Sequence, residues 1–175
     1  KLLTGNPRFQ KILETVARKS KWRRTLPKGH GLGISIHKTR GSIVGAVIEV
    51  FMDASGILTL NKAWIAIDCG KVINPDTVRA QMEGGFTFGL SATLGEEITL
   101  KDGRVEQSNF HDYPILRLKG SPEIFVEMIE SGNEIGGVGE VAVPIAAPAL
   151  ANAIFSSSGR RIRSLPLIKH GIKIA

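Results

Sequence analysis

Residues 136–144 read Gly-Gly-Val-Gly-Glu-Val-Ala-Val-Pro, three glycines delivering a single carboxylate, Glu140, to the start of a predicted helix. Glycine lacks a Cβ, so backbone dense in it can close on a bulky ligand and hold a neighbouring side chain against it. Four roles fit the stretch. It can be a plain strand-to-helix connection with its glutamate in water. It can be an anion cradle, because free amides at the N-terminus of a following helix attract phosphate. It can be a dinucleotide turn, since residues 137–142 match G-x-G-x-x-A. That match lacks its context: residues 131–134 separate it from the apolar run 124–129, Pro144 interrupts the expected helix start, and no acidic residue follows about 20 positions on. Finally, Glu140 can be a catalytic base, because a carboxylate fixed on a tight loop and partly desolvated has its proton affinity raised. Local chemistry leaves the cradle and the base both open.

A second constellation lies at residues 81–89. Gln81, Gly85 and Gly89 fall at i, i+4 and i+8, so one helix face carries an amide followed by nearly bare backbone. Either a large polar group lies there or a second helix packs closely through the glycines. Some compensation is required, because each helical glycine costs about 1 kcal/mol relative to alanine. Cys69 is the only cysteine. It reads as a small buried hydrophobe, and a cysteine-ligated iron–sulfur cluster or a four-cysteine zinc site is excluded within this chain. His30, His37, His111 and His170 show no metal-ligand spacing, and each is expected to be structural or exposed.

The elements that must position these groups can be read from pattern. Asn6 and Pro7 form a helix cap and first position, and Phe9, Ile12, Leu13 and Val16 make one apolar stripe on an otherwise basic helix ending near Ser20. Residues 22–31 read as a loop. From Leu32 the period becomes two, and three runs, 32–39, 44–52 and 57–68, are separated by Arg40-Gly41-Ser42 and Asp53-Ala54-Ser55-Gly56, which predicts an antiparallel meander. Asn74-Pro75 opens the helix bearing Gln81. Asp102-Gly103 signals a hairpin between 96–100 and 104–107, residues 108–113 read as a loop, and 124–129 as another strand. Ala147-Pro148 is expected to open a last helix stopped by Gly159, 162–167 to form a terminal strand or edge, and the basic tail to fray. The fold class is α+β, helices packed on a mainly antiparallel, mixed sheet.

The 175 residues, 42% hydrophobic and 22% charged, suit one globular domain. The net charge of +7 is local: residues 1–40 hold eleven Lys or Arg against Glu14 alone. Lys19-Ser20-Lys21-Trp22-Arg23-Arg24 lacks an aromatic-interleaved platform or reading motif, so a solvated face or an acidic protein surface is favoured over nucleic acid. No apolar run reaches the ~20 residues of a membrane span. A start at Lys1 is expected of a processed product or a piece of a longer protein, so the lack of a leader says nothing about compartment, and cytoplasm and periplasm stay open.

In order along the chain, Asp68-Cys69-Gly70-Lys71-Val72-Ile73-Asn74-Pro75, Gln81-Met82-Glu83-Gly84-Gly85 with Gly89-Leu90, Glu96-Glu97-Ile98, and Gly137-Val138-Gly139-Glu140 with Pro144 resemble the C-terminal molybdopterin-binding region of the xanthine dehydrogenase and aldehyde oxidase family. Within that family the likeness is greatest to the beta (large) subunits of the isoquinoline 1-oxidoreductase branch. Gly41-Ser42 and Ser108-Asn109-Phe110-His111-Asp112-Tyr113 are similar to that branch, and the likeness spans about residues 29–167. The resemblance implies a division into a basic helix and linker, 1–28, and the C-terminal part of a molybdopterin-binding domain, 29–175. It also implies a molybdenum-pyranopterin cofactor, often in the cytosine dinucleotide form. By resemblance, Glu140 is the base beside the metal, Gln81 pairs with the pterin, Gly139 offers backbone near the metal centre and Gly85 permits close approach. The implied reaction is oxidation of an N-heterocycle or aldehyde with oxygen drawn from water, the electrons leaving to a separate small [2Fe–2S] subunit. Family large subunits are several times longer. The chain alone is therefore expected to bind little or no cofactor, to be inactive, and to expose apolar surface that favours self-association.

Overall fold

The computed structural model describes residues 5–175. Asn6 caps the first helix, α1 (Pro7–Lys19), with proline in its first turn, where the missing N–H costs nothing. Three long strands follow, β1 (His30–Thr39), β2 (Ser42–Met52) and β3 (Ile57–Asp68), paired antiparallel in sequence order. Arg40 and Gly41 both have positive φ, the geometry of a two-residue hairpin turn. The predicted meander is therefore present, with β1 beginning slightly earlier than its alternating pattern suggests.

β2 lies between β1 and β3 and is buried on both faces. Val44, Ala46, Ile48 and Val50 enter the main core, while Ile43 and Val47 meet Ile12 and Val16 of α1 on the opposite face. Across from it, β3 carries a bulge: Glu49 pairs with Lys62 and Val50 with Leu60, skipping Asn61. That extra residue shifts the alternation of β3, so Leu58 and Leu60 before it and Ala63, Ile65 and Ile67 after it all face the same core.

The main core is closed by α2 (Pro75–Leu94) and α3 (Val143–Ser158), which pack on each other; α3 also lies along β1 and β2. α3 approaches β1 so closely that a Cβ on Gly33 would fall on the Ala149 carbonyl, and Ser35 Oγ donates to Ile145 O at 2.6 Å. The fold is thus a sheet with two helices on one face and the basic helix on the other. It is α+β as expected, and mixed, because the strand Glu123–Met128 joins β3 in parallel.

Four expectations need correction. α3 starts at Val143, not Ala147, because Pro144 sits in the first turn, where proline is tolerated, and does not block the helix. The Asp102-Gly103 hairpin forms with both residues at positive φ, but its strands, β4 (Leu100–Lys101) and β5 (Arg104–Val105), are only two residues each and exposed. Their paired Leu100 and Val105 are covered by nothing among the described residues, both being more than half exposed, and the ladder ends after two paired positions. The parallel strand above is accordingly β6. Residues 162–167 form no strand. Instead the tail pairs β7 (Lys173–Ile174) in parallel with Ile57 and Leu58, and buries Ile172, so it is held and not frayed.

Candidate functional site

Between β6 and α3 the chain runs as a loop, 129–142, whose backbone groups must find partners outside a helix or ladder. They find them on two platforms. At the end of β3, Ile129 N donates to Ile67 O (2.8 Å), Ser131 N to Gly70 O (3.2 Å) and Gly136 N to Cys69 O (2.9 Å). At the β1–β2 turn, Gly137 N donates to Arg40 O (2.8 Å), and Ser42 Oγ donates to Gly137 O (2.7 Å). Gly136 lies flat on that turn; a Cβ there would collide with Ser42 Oγ. Val143 N then donates to Glu140 O at 3.1 Å, launching α3.

The loop delivers Gly139 and Glu140 to a cleft of about 620 Å³, whose other walls are His37 and Thr39 of β1, Gly84, Gly85 and Phe88 of α2, and Val143 and Pro144. Three of the four sequence-selected residues, Gly85, Gly139 and Glu140, therefore share one cleft. Gln81 does not line it: it stands exposed one turn before Gly85 on the same stripe of α2. His37, Thr39 and Phe88 escaped sequence reasoning. Their available signals were positional: two residues alternating on a strand before a turn, and an aromatic one turn after Gly84.

The glycines of the cleft separate by environment. Gly89 serves close helix packing, since a Cβ there would stand 2.6 Å from Val143 O and 2.8 Å from the Ala146 Cβ. Gly85 is intermediate, 3.3 Å from the Ala142 Cβ. At Gly84 and Gly139 an added Cβ meets nothing within 4 Å, and neither residue has positive φ. Packing among the described residues thus gives no reason for glycine at either position. Bare backbone facing a roomy cleft is what a flat, bulky ligand requires.

Glu140 itself is 73% exposed, with Arg40 Nη2 3.9 Å from its carboxylate and equally exposed. The partial desolvation expected of a tight loop is not supplied by this chain. Burial is instead concentrated one layer down. Burial by itself would push the Asp68 carboxyl up, but hydrogen bonds from Arg8 Nε (2.7 Å), Ser131 Oγ (2.7 Å) and Gly70 N (2.9 Å) outweigh it and hold Asp68 below the usual carboxylate range. Next to it, burial pushes the Cys69 thiol up, leaving it a neutral packed group as expected.

Comparison with known proteins places the chain as a whole. A family model described as the molybdopterin cofactor-binding domain matches residues 14–122. Isoquinoline 1-oxidoreductase subunit beta of Brevundimonas diminuta is 38% identical over 94% of this chain, which corresponds to 22% of that protein. The membrane-bound aldehyde dehydrogenase [pyrroloquinoline-quinone] of Gluconacetobacter polyoxogenes is 33% identical over 93% of the chain, again 22% of its own length. Among solved structures, quinoline 2-oxidoreductase from Pseudomonas putida 86 superposes with a TM-score of 0.65 at 28% identity, covering 72% of this chain and 17% of that one. The chain spans about a fifth of the curated relatives it matches. With the family model matching well over half of the residues and a relative at 38% identity, the chain belongs to the molybdopterin cofactor-binding domain family.

Proposed function

We propose that this chain is the C-terminal part of the cofactor-binding domain in the large subunit of a molybdenum hydroxylase, with residues 1–28 as its basic flanking helix and linker and 29–175 as the domain part. The complete enzyme oxidises an N-heterocycle or an aldehyde with oxygen taken from water. The observation that carries this reading is the cleft in which Glu140 stands beside backbone that the fold leaves bare at Gly84 and Gly139. A molybdenum-pyranopterin bound there supplies the acceptor for two electrons.

The chain's own residues then take defined parts. Gly139 and the Gly84–Gly85 face of α2, which present bare backbone to the cleft, would leave room for the group to lie against them. Gln81, on the same helix stripe, offers an amide that both donates and accepts, as pairing with a pterin ring requires. Glu140 accepts the proton of the water-derived oxygen as that oxygen attacks an electron-poor carbon. Its exposure here fits a site completed by the rest of the subunit. Two electrons would then leave for iron–sulfur clusters outside this chain, whose one buried cysteine cannot ligate a cluster; the resemblance to the isoquinoline 1-oxidoreductase branch implies that they sit on a separate small subunit.

The deciding experiment is Glu140→Gln in the complete subunit. Turnover is expected to vanish with the cofactor still bound; near-normal turnover removes the assigned role. Cofactor identity is checked on the same preparation: molybdenum with a pterin supports the proposal, and pyrroloquinoline quinone in its place overturns it.

A further inference from the structure

The loop that presents Glu140 is held by side chains lying well away from the cleft. We infer that Asp68, locked by Arg8, is a positioning residue for this loop and acts through Ser131. Four contacts converge on Asp68. Its Oδ2 accepts from Arg8 Nε and its Oδ1 from both Gly70 N and Ser131 Oγ, while Arg8 Nη2 donates to the Asp68 carbonyl at 3.2 Å. The carboxylate bond to Gly70 N closes a turn in which Gly70 takes φ +81, and that turn aims Cys69 O at Gly136 N and Gly70 O at Ser131 N. A Cβ on Gly70 would collide with the carbonyls of Asn133 and Glu134, so the loop lies directly on it.

Arg8 reaches the second platform as well, donating from Nη2 to Gly41 O at 3.3 Å, beneath Gly136. One guanidinium from α1 therefore fixes the end of β3 and the β1–β2 turn relative to each other, and the 131–137 segment is laid across both. The side chain of Asp68 is 2% exposed and that of Arg8 21%, so solvent exchanges little with this junction. A basic helix on the far face of the sheet is thereby coupled to the carboxylate in the cleft. Loop placement stands on these contacts alone; only its catalytic consequence rests on the proposed role of Glu140.

Ser131→Ala tests the strut without touching the buried ion pair, and Ser131 is exposed, so the fold is retained. Ser131 Oγ donates to Asp68 and also accepts from Asn133 Nδ2 at 2.7 Å; in the 175-residue chain, amide exchange at Gly136 and Gly137 is expected to speed up at least about fivefold, what a single net hydrogen bond is worth, with β2 amides unchanged and Ser131→Thr restoring protection. Unchanged exchange in that loop overturns the inference. In the complete cofactor-loaded enzyme the same substitution is expected to lower kcat about tenfold at near-constant KM, well inside the ~100-fold that a 1 Å misplacement can cost. Faster loop exchange with unaltered turnover supports the strut and counts against Glu140 as the base.

Discussion

At the scale of the residue, glycine is the informative type in this chain, because its necessity can be tested against its surroundings. Gly89 is demanded by the Val143 carbonyl and Gly136 by the Ser42 hydroxyl, whereas Gly139 is demanded by nothing among the described residues. Gly89→Ala is therefore expected to cost about 2 kcal/mol in urea unfolding, overpacking less the ~1 kcal/mol gained in helix propensity. Gly139→Ala is expected to leave stability within about 0.5 kcal/mol while lowering cofactor loading of the complete subunit. Equal destabilisation by both would make Gly139 a packing residue and remove the best support for ligand approach. The spacing of Gln81, Gly85 and Gly89 was legible in the sequence. Which glycine packs and which stays bare was not, because the partner atoms come from residues 142–146.

At the scale of the element, the helices announced themselves where caps are local. Asn74 Oδ1 accepts from Thr77 N at 3.0 Å with Pro75 behind it, so Asn74→Ala should cost about 1 kcal/mol by thermal or urea unfolding. α3 was misplaced by four residues because a proline reads equally as a helix breaker and as a first-turn residue, and only its docking on β1 decides. The Asp68 junction gives the elements a pH dependence. Its carboxyl is held below the usual range in the fold, so the stabilisation is present above the unfolded value of about 4 and is lost as pH falls through the lower, folded value. Asp68→Asn should lower stability at neutral pH by on the order of 2–3 kcal/mol, under the ~3–5 of a fully enclosed pair because Arg8 keeps some solvent. It should also flatten the loss of stability below about pH 4. A variant with the parent's acid limb would place that linkage elsewhere.

At the scale of the whole molecule, the surface is that of a part. Ile73, Phe88, Leu100, Phe110, Leu118 and Ile135 are each more than three-fifths exposed, in a chain spanning about a fifth of its curated relatives. Singly exposed apolar residues are ordinary, and the expectation of self-association rests on these large ones gathering between copies of the chain. One of them projects from a hydrogen-bonded turn: the Asp112 carboxylate accepts from Asn109 N and Ser108 N, which lower its pKa to about 2, and Phe110 stands exposed between them. Sedimentation velocity across the micromolar range is expected to show concentration-dependent association, reduced by Phe110→Ser with Leu118→Glu; a monodisperse monomer at every concentration would contradict this. Purified alone, the chain is expected to carry little molybdenum, and a stoichiometric metal content would contradict that.

Local rules reach about one turn of helix or two residues of strand, and what they govern was determined by the sequence: the capped helices, the alternating strands with their turns, a loop of glycines ending in one carboxylate, and the likeness of motifs that placed the chain in its family. Tertiary structure decided what depends on distant atoms. It set the parallel pairing of β6 and β7 on β3, the bulge at Asn61 that keeps β3 in phase with the core, the exposure of Glu140, and the anchoring of its loop on Asp68 and Arg40. Burial and contact are sums over residues far apart in the chain, and only the folded molecule performs that sum.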